Sequence, residues 1–192
     1  MKRRECLGVF VWTTFVSLVM ASLASAGVLR VPAFTAYLEP DVEGARVSER
    51  SGVTRWDDPS LKVLWFGRIA TAGKLDCSVA LRLPEDAESK LRLTVAGQSR
   101  EATVAGDDAN PVTASFGSFD VAQAGYQRFT LESLNPQGQP FGDLDALILD
   151  GPATQDAHFN LQPRRNAASV HLFYPLEKDV EELLARRTRL DT

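Results

Sequence analysis

The chain has 192 residues, of which 44% are hydrophobic and 24% charged, and 21 Lys+Arg stand against 25 Asp+Glu for a formal net charge of −4. That length supports one domain with a real core. The acidic balance argues against a nucleic-acid partner, which needs a basic stripe, and 2 cysteines rule out a disulfide-rich scaffold.

The first 26 residues read as a secretory signal. Lys2, Arg3 and Arg4 form the positive start, residues 7–23 carry no charge, and Ala24-Ser25-Ala26 is a small-x-small cleavage site. An uncleaved anchor is the alternative, since the span is nearly long enough to cross a bilayer. Thr13, Thr14 and Ser17 favour cleavage. The expected product is a secreted or periplasmic monomer, free of the membrane, with Gly27 at its start. Loss of the signal takes the net charge from −4 to −6, because three basic residues and one acidic residue leave with it. Cys77 is then the sole cysteine, and its place beside Leu75, Val79 and Leu81 in an alternating strand predicts a buried, inert thiol.

From residue 34 onwards the chain is a succession of period-two segments separated by turn formers. Residues 34–38 and 45–48 are short strand candidates, and 63–70 is a near-continuous apolar run suited to a central strand. Trp65 and Phe66 point to opposite faces of that strand. A turn at Ala72-Gly73 leads into a strand over 74–83, and Pro84-Glu85-Asp86 turns the chain towards 90–95. Gly97 closes a tight hairpin to 100–105, and strands follow at 114–121, 127–134 and 144–149. Residues 106–111 and 135–140 are loops by composition. Strands at this spacing without helical periods predict an all-β antiparallel sandwich of the jelly-roll type. A second sheet is needed because each half-buried strand leaves one apolar face to cover. Beyond Gly151-Pro152, residues 157–161 and 168–174 are further strand candidates, and 178–190 reads as a charged amphipathic helix with acids first and arginines last.

No phosphate-cradling glycine loop, zinc-type Cys/His spacing or Gly-x-Ser-x-Gly elbow is present. His158 and His171 are the only histidines, and the alternation around His171 suits a structural role better than catalysis. The aromatics say more. Trp56 follows Arg55 and precedes Asp57 and Asp58, a combination of apolar ring, carboxylates and guanidinium suited to sugar recognition. The competing reading has Trp56 plugging one end of the sandwich. Trp65, Arg68, Tyr126 and Phe141 complete the candidate ligand-binding set, and no catalytic residue is assigned. Glu39, Asp41 and Glu43 lie near the first strand's end, while Asp143 and Asp145 flank the last. Adjacency of those strands would let the carboxylates converge on a structural calcium ion.

Three stretches carry a family resemblance: Gly67-Arg68-Ile69, the strand over 74–83, and residues 142–153 (GDLDALILDGPA). Together they resemble domain of unknown function 5077, a secreted bacterial domain. Residues 157–161 and 164–172 resemble the opening of a second one, domain of unknown function 3472, cut short at Thr192. The organisation expected is a signal over 1–26, a jelly roll over 27–154 and an extension over 155–192. The resemblance implies a carbohydrate-binding-like jelly roll and, by motif position, Glu39 and Asp145 as calcium ligands. The expected function is non-catalytic binding of a polysaccharide or other glycan. A protein-interaction scaffold and a remnant of a larger glycan-active protein are the alternatives.

Overall fold

A computed structural model describes residues 27–162. The signal segment, His171 and the 178–190 helix lie outside the described residues.

The described residues form twelve strands and two short 3₁₀ turns. In chain order the strands are β1 (Leu29–Pro32), β2 (Tyr37–Glu39), β3 (Arg46–Ser48), β4 (Gly52–Thr54), β5 (Lys62–Ile69), β6 (Gly73–Arg82), β7 (Glu88–Val95), β8 (Gln98–Ala105), β9 (Val112–Val121), β10 (Gly125–Ser133), β11 (Asp143–Asp150) and β12 (His158–Phe159). One sheet runs β3-β4-β11-β6-β9 with β1 also on β11, and the other runs β12-β5-β10-β7-β8 with β2 also on β5. All pairings are antiparallel. In each sheet one long strand, β11 or β5, has two short strands sharing its outer edge.

The long strands follow their alternation. Leu91, Leu93 and Val95 of β7 point inward, as do Leu75, Cys77, Val79 and Leu81 of β6. The core between the sheets is filled by Trp65, Phe119, Phe129, Phe141 and a layer of leucines. Trp65 Nε1 finds no acceptor among the described residues, a penalty of about 1–3 kcal/mol that the packing of the indole offsets. β7 and β8 are joined by Ala96-Gly97 with φ of 50° and 75°, a two-residue turn whose positive dihedrals match the strand twist. At the open side, the Gln98 amide bridges the sheets: its Nε2 donates to Asp120 O at 2.8 Å and its Oε1 accepts from Asp120 N at 3.2 Å. Arg100 also stacks over the Phe119 ring at 5.4 Å.

The short elements depart from the sequence reading. Residues 34–38 do not form one strand. Ala33–Thr35 is a 3₁₀ turn and only Tyr37–Glu39 is extended. The chain crosses there from one sheet to the other, and the turn is held by Thr35 Oγ1 donating to Pro32 O at 2.8 Å and Ala36 N to Ala33 O at 3.0 Å. β1 and β4 are not among the expected strands. The strand expected at 157–161 shrinks to His158–Phe159, yet it adds to β5. Phe159 fills the space left by Gly67, where a Cβ would lie 2.4 Å from its ring, and it packs against Phe129 at 5.4 Å. The chain past residue 154 therefore stays in the sandwich at least this far.

Candidate functional site

Five connections gather at the end of the sandwich where β5, β7, β9 and β11 begin: 40–45, 55–61, 83–87, 106–111 and 134–142. Their sequences are rich in Asp, Asn, Pro and Gly, which hold turns through local side-chain bonds. Asp41 Oδ1 accepts from Glu43 N at 2.9 Å. Asp58 Oδ1 accepts from Ser60 N at 2.8 Å and from Ser60 Oγ at 2.7 Å. Asp107 Oδ1 takes Ala109 N at 2.9 Å while its Oδ2 takes Asn110 Nδ2 at 3.2 Å. The Ser60 hydroxyl, then the Ser60 amide, holds the Asp58 carboxyl below the usual range. For Asp107 the Asn110 side chain acts first, then the Ala109 amide. Both shifts keep the carboxylates ionised, the opposite of what a general acid needs.

Two contacts knit these loops into one surface. Asp108 Oδ1 accepts from Glu85 N at 2.9 Å, tying 106–111 to the β6–β7 turn. Gly106 lies so close to Pro84 that a Cβ would meet its carbonyl oxygen at 1.8 Å, so only glycine permits the approach. The 134–142 loop is clamped by Asn135, which is 3% exposed. Its Nδ2 donates to Glu88 O at 2.8 Å and Pro140 O at 3.0 Å, and its Oδ1 accepts from Lys90 N at 2.9 Å. Buried Ser89 adds a bond from Oγ to Phe141 O at 2.8 Å.

Between the clamped loops lie two adjoining depressions with Pro84 on the rim of both. The larger, about 730 Å³, is lined by Asp86, Glu88, Lys90, Asn135 and Gln139 with Pro136 and Pro140. The smaller, about 320 Å³, is lined by Arg82, Asp107, Asp108, Asn110, Pro111 and Asp143. Carboxylates, amides, an ammonium and a guanidinium thus converge beside flat proline surfaces. Such a lining can donate to and accept from hydroxyl groups at several points.

The sequence-predicted ligand residues fall in three separate places. Arg55, Asp57 and Asp58 are exposed on the 55–61 loop of this end. Trp56, between them, is 3% exposed. Its Nε1 donates to Leu61 O at 3.0 Å and its ring meets Phe141 edge-on at 5.5 Å. As a stacking platform Trp56 is corrected: the ring plugs the core beneath the loop. Trp65 and Phe141, each 1% exposed, are core residues as well. Arg68 and Tyr126 are brought together as cross-strand partners, with His158 on the far side of Arg68, but on the outer face of a sheet.

The expected convergence of Glu39 and Asp145 is likewise corrected. β1 does neighbour β11, but the expected strand at 34–38 gives β2, and Glu39 on β2 lies in the opposite sheet, in register with Lys62. Asp145 is ion-paired with Arg30. Among the described residues no group of three or more His, Cys, Asp or Glu could hold a metal ion. Lys90, Asn135, Gln139, Arg82 and Asn110 went unrecognised from sequence. Their only signal was composition, in the loops at 106–111 and 135–140 that hold three of them.

The fold has known counterparts. A family 35 carbohydrate-binding module from Clostridium thermocellum superposes with a TM-score of 0.53 at 12% identity, over 65% of this chain and 98% of that one. The family 35 module of Abf62 from Cellvibrio japonicus gives 0.52 at 12% identity, over 70% and 98%. The GH26-CBM35 β-(1,4)-mannanase of Podospora anserina gives 0.50 at 19% identity, over 67% of this chain and 28% of the mannanase. At such identities the likeness is one of fold. No curated protein matches the chain. The family model described as "Domain of unknown function (DUF5077)" matches residues 31–154, and the chain belongs to that family.

Proposed function

We propose that the protein is an exported, non-catalytic module that binds polysaccharide at the loop end of its sandwich. The observation that carries this reading is the pair of adjoining polar depressions around Pro84, set on a fold shared with family 35 carbohydrate-binding modules. Binding rests on hydrogen bonds to sugar hydroxyls from Lys90, Gln139, Arg82 and Asn110 and on acceptance by Asp86, Glu88 and Asp143. The proline faces give apolar contact in place of an aromatic platform. The signal-like residues 1–26 support export. Calcium is not part of this reading, since Glu39 and Asp145 lie in different sheets.

Affinity electrophoresis against plant, algal and host polysaccharides tests it. At least one polysaccharide should retard the folded protein. The double variant Lys90→Ala/Gln139→Ala should then lose about tenfold in affinity, or about 1.4 kcal/mol, with an unchanged melting temperature. A folded protein that no polysaccharide retards would overturn the reading.

A further inference from the structure

Arg68 and Tyr126 take no part in the loop end and stand at the other end of the β5 sheet. β5 leaves the loop end at Lys62 and finishes at Ile69, where β10 begins beside it at Gly125. Val63, Trp65 and Ile69 of β5 enter the core, so Phe66 and Arg68 lie on the outer face. Residues directly opposite in a sheet share a face. Tyr126 opposite Arg68 and Arg128 opposite Phe66 therefore complete a square, with the two cations on one diagonal and the two aromatic rings on the other. His158 of β12 extends the row on the far side of Arg68. Arg68, Arg128 and His158 are exposed, and Phe66 and Tyr126 are half-buried. Charge divides this face into two zones. Towards the loop end the cations are paired: Lys62 Nζ lies 3.1 Å from Glu132 Oε1, and Arg92 Nη2 lies 2.7 Å from Glu101 Oε1. Around the square, among the described residues, no ion pair joins Arg68, Arg128 or His158 to a carboxylate. Asp156, in the turn before β12, is the nearest acid along the chain to His158.

We propose that this square is a second binding site, for a polysaccharide whose sugar units bear carboxylates. The planar fork of an arginine meets a carboxylate through two parallel N–H···O bonds. Arg68 and Arg128 stand about 7–8 Å apart, the diagonal of an antiparallel pair. Between them the rings of Tyr126 and Phe66 offer apolar surface to the C–H face of a pyranose. A uronic acid unit carries both halves of this pattern, a carboxylate at its edge and an apolar C–H face. His158 adds a further polar group to the row. In a chain of net charge −4, a polyanion gains by approaching only where cations cluster locally. Two guanidiniums are too few to hold a nucleic acid, whose affinity comes from many phosphate contacts. The square lies apart from the depressions around Pro84, so it stands whether or not a neutral glycan binds there.

Affinity electrophoresis of the full chain in gels containing polygalacturonate or alginate, each beside its carboxyl-reduced form, tests the assignment. At least one polyuronate should retard the protein and its carboxyl-reduced form should not, and the retardation should weaken as salt is raised. Arg68→Gln/Arg128→Gln should lose about tenfold in affinity at an unchanged melting temperature, since both side chains are exposed. Lys90→Ala/Gln139→Ala should keep the affinity for polyuronate. A folded parent that neither polyuronate retards would overturn the proposal, as would an arginine variant that binds like the parent. Loss of polyuronate binding in Lys90→Ala/Gln139→Ala would overturn it too, by moving the ligand to the loop end. Equal retardation by a sulfated galactan would overturn the assignment to carboxylates.

Discussion

Trp56 shares its chain neighbourhood with Arg55, Asp57 and Asp58, but its ring lies beneath them. Arg55 adopts φ of 57°, a left-handed conformation uncommon for a non-glycine residue. The turn carries the chain down so that the indole meets Phe141 while the flanking charges stay in solvent. The bond from Trp56 Nε1 to Leu61 O satisfies the one polar atom of the ring and closes the 55–61 loop. Removing this side chain opens a cavity and leaves Leu61 O without its donor. Trp56→Ala should therefore cost about 3–5 kcal/mol, read as a lower urea midpoint with an unchanged slope. An unchanged midpoint would contradict the core role.

At the scale of elements, the loop end depends on one amide. Asn135 uses both of its N–H groups and its oxygen to hold β7 against the returning 134–142 loop. Asn135→Ala strands the carbonyls of Glu88 and Pro140 and the amide of Lys90. The expected loss is about 2–4 kcal/mol, with faster hydrogen exchange at Lys90 N and across 134–142. Asn135→Asp should be worse than alanine, since it turns a carboxylate oxygen towards two carbonyl oxygens. Denaturation of the two variants side by side checks the order. Asn135→Asp equalling the parent would mean the clamp is not what shapes the larger depression.

For the whole molecule, one core spans both sheets, and the Gln98–Asp120 bridge joins their edges. Unfolding should then be cooperative, and Cys77 reports on it. Burial first, and then the nearby Asp76 charge, push its thiol up to about 12. Near neutral pH the group is therefore both inaccessible and protonated, and the thiolate is the reactive form. Reaction of Cys77 with a thiol reagent, followed separately from Cys6 by peptide mapping, should be slow in native buffer and should rise in step with global unfolding in urea. A fast, stoichiometric native reaction would show a local opening of β6 instead.

The alternation of the long strands β5 to β11 determined by itself the all-β class, the inward set of leucines and the buried Cys77. Alternation is a local signal, carried by each strand's own side chains. Strands β1 and β4, the sheet switch at Ala33–Thr35 and the site required the tertiary structure. Three residues show no period, and which sheet Glu39 joins depends on β5, more than twenty positions away. The charged neighbours of Trp56 leave a surface ring and a core plug both open in the sequence, because burial is set by what packs from other strands. Lys90 and Gln139 line one depression only because Asn135 clamps the 134–142 loop against β7, a proximity that no local pattern encodes.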